Sequence, residues 1–326
     1  MNRPPLPRPR RARRQPARGL AAFAVLAVFA VFAVCASAHA EVLAEVREAL
    51  SSGQLETAQK LIESARAGGG ATPEVAEAMS WLARAQLGRR DFDAALLTSE
   101  KTYELATKAA QQHPLDSERH LPIALGAAIE VHAQALAARG ERAKAVTLLR
   151  GELGRYAKTS IATRLQKNLN LLTLEGKPAP ALALDKYLGP KPEPLAALKG
   201  RPVLLFFWAH WCGDCKGTAP TIARLRSEFQ AQGLQVLAPT QPYGFTSEAQ
   251  DVSPEVELPY IESVRRKSYP SLLEVPAPVS TANFATYGAS SAPTIVVINR
   301  AGNVVLYHPG RMTYDELKPK VEAALR

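Results

Sequence analysis

Two cysteines three residues apart, Cys212 and Cys215, are the side chains of this 326-residue sequence best placed to do chemistry. They follow an apolar run, Val203 to Trp208, that reads as a buried strand. They precede Ile222, Leu225 and Phe229, whose steps of three and four read as a helix. The pair therefore sits where a strand hands over to a helix. Thiols at i and i+3 share one side of a first helical turn, close enough to form a disulfide. The free N–H groups and positive dipole end of that turn stabilise a thiolate on Cys212. The expectation is a reversible dithiol, with Cys212 as the exposed nucleophile and Cys215 as the resolving thiol one turn deeper.

The rest of the cysteine count agrees. The third cysteine, Cys35, lies within an N-terminal stretch that is basic, then apolar from Leu20, then small at Ala36-Ser37-Ala38-His39-Ala40. That order is expected of a secretory signal peptide over 1–40, cleaved before Glu41. The mature chain then holds only the one closely spaced pair. A structural framework in an exported protein would scatter its cysteines, and a Cys-x-x-C bridge used only as a staple closes too small a loop to stabilise much. A metal site needs about four ligands, and no second spaced pair exists, so no metal is expected. No cofactor beyond the redox-active disulfide Cys212–Cys215 is expected either.

The formal charge of +10 does not indicate a nucleic-acid footprint. Seven arginines and no acidic residue lie in residues 1–40, so only three of those ten charges belong to the remainder.

Several residues carry a resemblance. Trp211-Cys212-x-x-Cys215 with Pro220 five residues on resembles the thioredoxin family. The lead-in Gly176-Lys177-Pro178-Ala179-Pro180, and then Leu198-Lys199-Gly200-Arg201-Pro202-Val203, is similar to its extracytoplasmic TlpA/ResA group. The resemblance implies a thioredoxin fold from about residue 177 onward and thiol–disulfide oxidoreductase activity, with the reductase direction expected from the carboxylate between the cysteines. It implies that Pro293, after Ala292, is a cis proline facing the dithiol, and that Trp211, Ala292 and Pro293 shape the substrate contact. It also implies a disulfide-bearing protein substrate and a membrane or soluble thiol electron donor, while the signal peptide is expected to leave the mature chain in the periplasm or tethered to its membrane.

Two departures from the family pattern bear on tuning. The residues between the cysteines are Gly213-Asp214, and a carboxylate there opposes thiolate formation, which favours a reducing couple. Thioredoxins carry a buried aspartate at the position of Phe206, and some ResA relatives a glutamate at the position of Thr218; both carboxylates are absent here. That leaves Thr218, a water or a more distant carboxylate to take the proton of Cys215. A peroxidase of the related peroxiredoxin group would need a threonine-containing loop before its cysteine, where this chain has Ala209-His210-Trp211.

The first half of the mature chain reads as amphipathic helices. Trp81-Leu82-Ala83, Leu87-Gly88 and Asp91-Phe92-Asp93-x-Ala95-Leu96 look like a tetratricopeptide repeat. Fainter echoes begin at Gly53 and at Ala137. The expected architecture is multidomain: a signal peptide at 1–40, an all-α helical-repeat unit over 41–175, and an α/β thioredoxin fold over 176–326 with an insertion at 239–278. Glu255 to Lys267 supplies a helix for that insertion, and Thr240 to Phe245 is placed to cover the dithiol. The helical unit is expected to hold a protein partner or to act as a spacer. The alternative to an enzyme is a partner-binding scaffold whose dithiol is a redox sensor or latch.

Overall fold

A computed structural model describes residues 42–112 and 114–326; the expected signal peptide at 1–40 lies outside the described residues. The described residues open with seven α-helices: α1 (42–51), α2 (Leu55–Gly69), α3 (Pro73–Gly88), α4 (Phe92–Ala110), α5 (Leu121–Ala138), α6 (Arg142–Arg155) and α7 (Ala162–Thr173). Caps fix several starts. The Thr72 side chain accepts from Val75 N–H, with Pro73 in the first turn, and the Asp91 side chain accepts from Ala94 N–H.

Three of the turns are built alike. Ser52, Arg89 and Arg139 N–H donate to the carbonyls of Glu48, Ala85 and Ala135. The next residues, Gly53, Arg90 and Gly140, all have positive φ (76°, 64° and 85°). Gln54, Asp91 and Glu141 then donate back to Ala49, Gln86 and Leu136. Short turns make successive helices antiparallel neighbours. The central helix α5 is long and apolar enough to cross a membrane, yet its Leu121, Leu125, Ile129 and Val131 are buried among the helices around it.

The second half is a mixed four-stranded sheet, ordered β3-β2-β5-β6, from β2 (Val203–Phe207), β3 (Gln235–Leu237), β5 (Thr294–Ile298) and β6 (Val304–Pro309). β2 pairs parallel with β3 and antiparallel with β5, and β5 pairs antiparallel with β6. β2 reads as an unbroken apolar run because both its faces are covered. Leu204 and Phe206 join the core under α8 (Gly213–Phe229) and α11 (Tyr314–Leu325). Val203, Leu205 and Phe207 join the core under α10 (Thr281–Tyr287). α8 runs unbroken through Pro220, an exposed position.

Residues 239–278 carry α9 (Pro254–Ser268) and end in β4 (Ala277–Pro278), which pairs antiparallel with β1 (Tyr187–Leu188). β1 is thus the strand that anchors the end of the insertion. The helical half also packs on the sheet half. Asn170 Nδ2 of α7 donates to Thr286 O (3.2 Å), and Tyr307 N–H of β6 donates to Glu175 Oε1 (3.0 Å).

Candidate functional site

The site is built at the carboxyl end of β2. Trp208 leaves the strand with its N–H on Pro239 O (3.1 Å) and its indole Nε1–H on Ala238 O (2.9 Å). Its carbonyl accepts the Thr240 hydroxyl (2.9 Å), and the Ala209 carbonyl accepts the Tyr269 hydroxyl (3.2 Å). The Trp208 and Tyr269 rings lie 4.6 Å apart. The loop before the cysteines is therefore pinned from β3 and from the insertion, in addition to its own turn bond from Cys212 N–H to Ala209 O (3.1 Å).

Cys212 is the N-cap of α8 and Cys215 lies in its first turn. The two are disulfide-bonded, with Cα atoms 5.2 Å apart. The backbone N–H of Cys215 points at Cys212 Sγ at 3.0 Å, the donor that a thiolate there would accept. Cys212 Sγ also lies 3.3 Å from the carbonyl oxygen of Ala292. The Ala292–Pro293 peptide is cis. Pro293 O accepts the N–H of Gly310, and the next residue, Thr294, pairs with Phe207 in the β2–β5 register. Adjacent strand ends thus bring together Cys212, Cys215, Ala292 and Pro293.

The other expected residues surround them. Trp211 is 51% exposed, with its ring edge-on to Tyr243 at 5.5 Å. Gly213 and Asp214 are exposed in the first turn of α8. Pro220 lies farther along the helix, on its outer side. One expectation changes: Cys212 is only 3% exposed, and Cys215 is fully buried. As the disulfide, the first cysteine is roofed by the chain around Ala292, so a partner must approach along that loop.

Other residues escaped the sequence reading. Arg311, following β6, sits 3.6 Å from Asp214 Oδ1, both groups being exposed, and partly offsets the carboxylate beside the dithiol. Tyr243, Tyr269 and Glu257 come from the insertion. Of these, Tyr243 lies within Thr240 to Phe245, the stretch expected to cover the dithiol; Tyr269, Glu257 and Arg311 carry no local signal. Burial lowers the pKa of His210, with Glu257 opposing that shift, and raises the pKa values of the Tyr243 and Tyr269 hydroxyls. The Thr218 hydroxyl donates to Asp214 O (2.8 Å), so it is already engaged within the helix.

Among the described residues, one group has the ligand types for a cation: Glu74, Glu118 and His120, in the helical half. Glu118 is occupied as the cap of α5, accepting the N–H groups of His120 and Leu121, and His120 Nδ1 lies 2.7 Å from Glu77 Oε2.

Comparison with known proteins falls on the sheet half. The AhpC/TSA family profile matches residues 176–306. The thioredoxin-like protein YneN of Bacillus subtilis is 30% identical over 148 residues, covering 45% of this chain and 79% of that protein. The thiol-disulfide oxidoreductase ResA of the same organism is 31% identical over 139 residues, 43% of this chain and 69% of that one. Among solved structures, a thioredoxin-family thiol:disulfide interchange protein from Chlorobium tepidum is 22% identical, spans 46% of this chain and 97% of its own, and superposes with a TM-score of 0.35.

Proposed function

Because the chain belongs to the family of thioredoxin-like thiol–disulfide oxidoreductases that includes YneN and ResA, we propose that it reduces disulfides in protein substrates outside the cytoplasm, using Cys212 and Cys215. The observation that carries this reading is the disulfide at the N-cap of α8, set against the Ala292–Pro293 peptide. The Cys212 thiolate attacks one sulfur of the substrate disulfide, forming a mixed disulfide and expelling a substrate thiolate. Cys215 loses its proton and attacks Cys212 Sγ, the substrate leaves as a dithiol, and two electrons have passed to it. A thiol donor, at the membrane or in solution, returns the Cys212–Cys215 disulfide to the dithiol.

Trp211 supplies the exposed aromatic surface for the substrate, and the backbone at Ala292 and Pro293 pairs with an extended substrate segment as an added strand. Asp214 sets the reducing character, moderated by Arg311. The insertion 239–278 faces the substrate through Tyr243. Residues 1–40 direct export to the periplasm, with retention as a membrane tether the other outcome.

In the helical half, the three like turns support tetratricopeptide-like repeats. A cavity of about 360 Å³ between α4, α5 and α6, with Ala128, Ile129 and Leu148 on its apolar lining and Ser99, His132 and Glu152 as polar groups, offers a protein partner a side-chain pocket. Family membership disfavours a scaffold with a dithiol used only as sensor or latch.

Two variants and one potential test the proposal. Cys215→Ser should accumulate a mixed disulfide with substrate, and Cys212→Ser should form none. The Cys212–Cys215 potential should lie near or below about −220 mV; a value near −120 mV, about that of a strong oxidant, overturns the reductive direction.

A further inference from the structure

Two residues before Cys212, a buried pair stands outside the exchange chemistry. The His210 side chain is 1% exposed and that of Glu257, on α9 of the insertion, is fully buried. His210 Nε2 lies 3.1 Å from Glu257 Oε1. The same carboxylate accepts the backbone N–H of Tyr243 on Oε1 and that of Gly244 on Oε2, both at 2.7 Å. A buried carboxylate is costly unless its oxygens are satisfied, and these three donors satisfy it. The rings of Phe245, Tyr260 and Tyr243 meet the imidazole at 4.9, 5.2 and 5.5 Å, all in edge geometry. Lys216 of α8 and Glu257 are the charged groups that bear on it. Burial favours the neutral ring, and the carboxylate then selects the tautomer with hydrogen on Nε2.

One carboxylate thus ties three segments: α9, the turn at Tyr243-Gly244, and the loop that delivers Cys212. Tyr243 is also the ring on which exposed Trp211 rests. We propose that Glu257 is a positioning residue for thiol–disulfide exchange, acting through His210 on the Cys212 loop and through Tyr243 on Trp211. The insertion is, on this view, part of the machinery that orients the nucleophile, and the inference rests on the exchange reading of the site.

The test compares His210→Gln, His210→Met and Glu257→Gln in the full chain, each checked for native circular dichroism. Glutamine at 210 keeps an N–H donor for the carboxylate, whereas methionine fills similar space and leaves Oε1 with the Tyr243 N–H alone, cutting the tie between the carboxylate and the Cys212 loop. Glutamine at 257 presents an NH₂ group where a donor already points. The expected result is a tenfold or greater fall in kcat/KM for a protein disulfide in H210M and E257Q, with H210Q within threefold of the parent. The Cys212–Cys215 equilibrium in a thiol redox buffer should shift about tenfold in H210M, about 30 mV for a two-electron couple. Equal behaviour of H210Q and H210M, or all three variants within twofold of the parent, overturns the proposal. Should E257Q fail to fold, the His210 pair still decides. A parent that turns over no protein disulfide would instead sink the exchange reading, and the redox equilibrium would still report on positioning.

Discussion

Gly288→Ala should damage this protein far more than Gly140→Ala, although both glycines occupy left-handed backbone, with φ of 59° and 85°. An L-residue in that region costs roughly 1–2 kcal/mol. At Gly140, which closes the turn between α5 and α6, nothing lies within 4 Å of an added Cβ, so that penalty is the whole expected loss. At Gly288, just after α10, the same Cβ would fall 2.3 Å from Lys167 N, 2.6 Å from Lys167 Cα and 2.7 Å from Gln166 C. These are backbone atoms of α7, which cannot rotate aside. Nor can α7 easily withdraw, because Lys167 Nζ donates to the partly buried Glu130 of α5 (2.7 Å) and Asn170 Nδ2 holds Thr286 O. Overpacking of this kind adds roughly 1–3 kcal/mol. Gly288→Ala should therefore cost about 2–5 kcal/mol against about 1–2 for Gly140→Ala. The chain from Gly288 leads within four residues to Ala292, over Cys212. Its displacement should also slow disulfide reduction, which Gly140→Ala should leave intact. Urea unfolding followed by circular dichroism, with turnover of a protein disulfide on the same samples, makes the comparison. Equal destabilisation by the two substitutions would refute the claim that the helical half is seated on the sheet half through this contact.

Other expectations follow from charge and exposure. Burial alone would raise the Glu130 pKa, but Arg164 and Lys167 hold it down to about 2 from its ordinary 4.5. The folded state therefore binds fewer protons than the unfolded state over that interval. The stability from this carboxylate is fully present above about pH 4.5 and is lost as pH falls toward 2. Glu130→Gln should lower stability at neutral pH and flatten its acid dependence in that window, as urea midpoints across pH would read. At the dithiol, Asp214→Asn should raise the reduction potential by favouring the thiolate, and Arg311→Ala should lower it. Each shift should be on the order of 10 mV, because the pair is exposed, and should shrink in high salt. Trp211→Ala should leave the melting profile nearly unchanged while lowering kcat/KM about tenfold through lost substrate contact, a reading that an unaltered kcat/KM would remove.

What the sequence disclosed and what it withheld divide along one physical line, the distance in chain between the residues that touch. The run from Val203 to Cys215 is legible because β2 is buried on both faces, so its apolar pattern has no gaps, and because the i, i+3 thiols are neighbours in any helix. The helical turns are half legible. Gly53 and Gly140 mark two of them, but the middle turn places Arg90 at the same positive φ, where composition gives no sign. The carboxylate at Glu257 reads, in sequence, as one more acidic residue in the first turns of a helix, the place where such residues are usually solvated. Its burial follows only from folding α9 against the turn at Tyr243 and the loop at His210, residues 14 and 47 positions away. Arg311 likewise meets Asp214 only because β6 returns beside β5. The exposure expected for Cys212 failed for the same reason: the first turn of a helix is open by itself, and it is closed here by the chain around Ala292, 80 residues on. A reading confined to the motif therefore places the sulfur atoms correctly but leaves out the contacts that orient them, and those contacts distinguish this site from another bearing the same two cysteines.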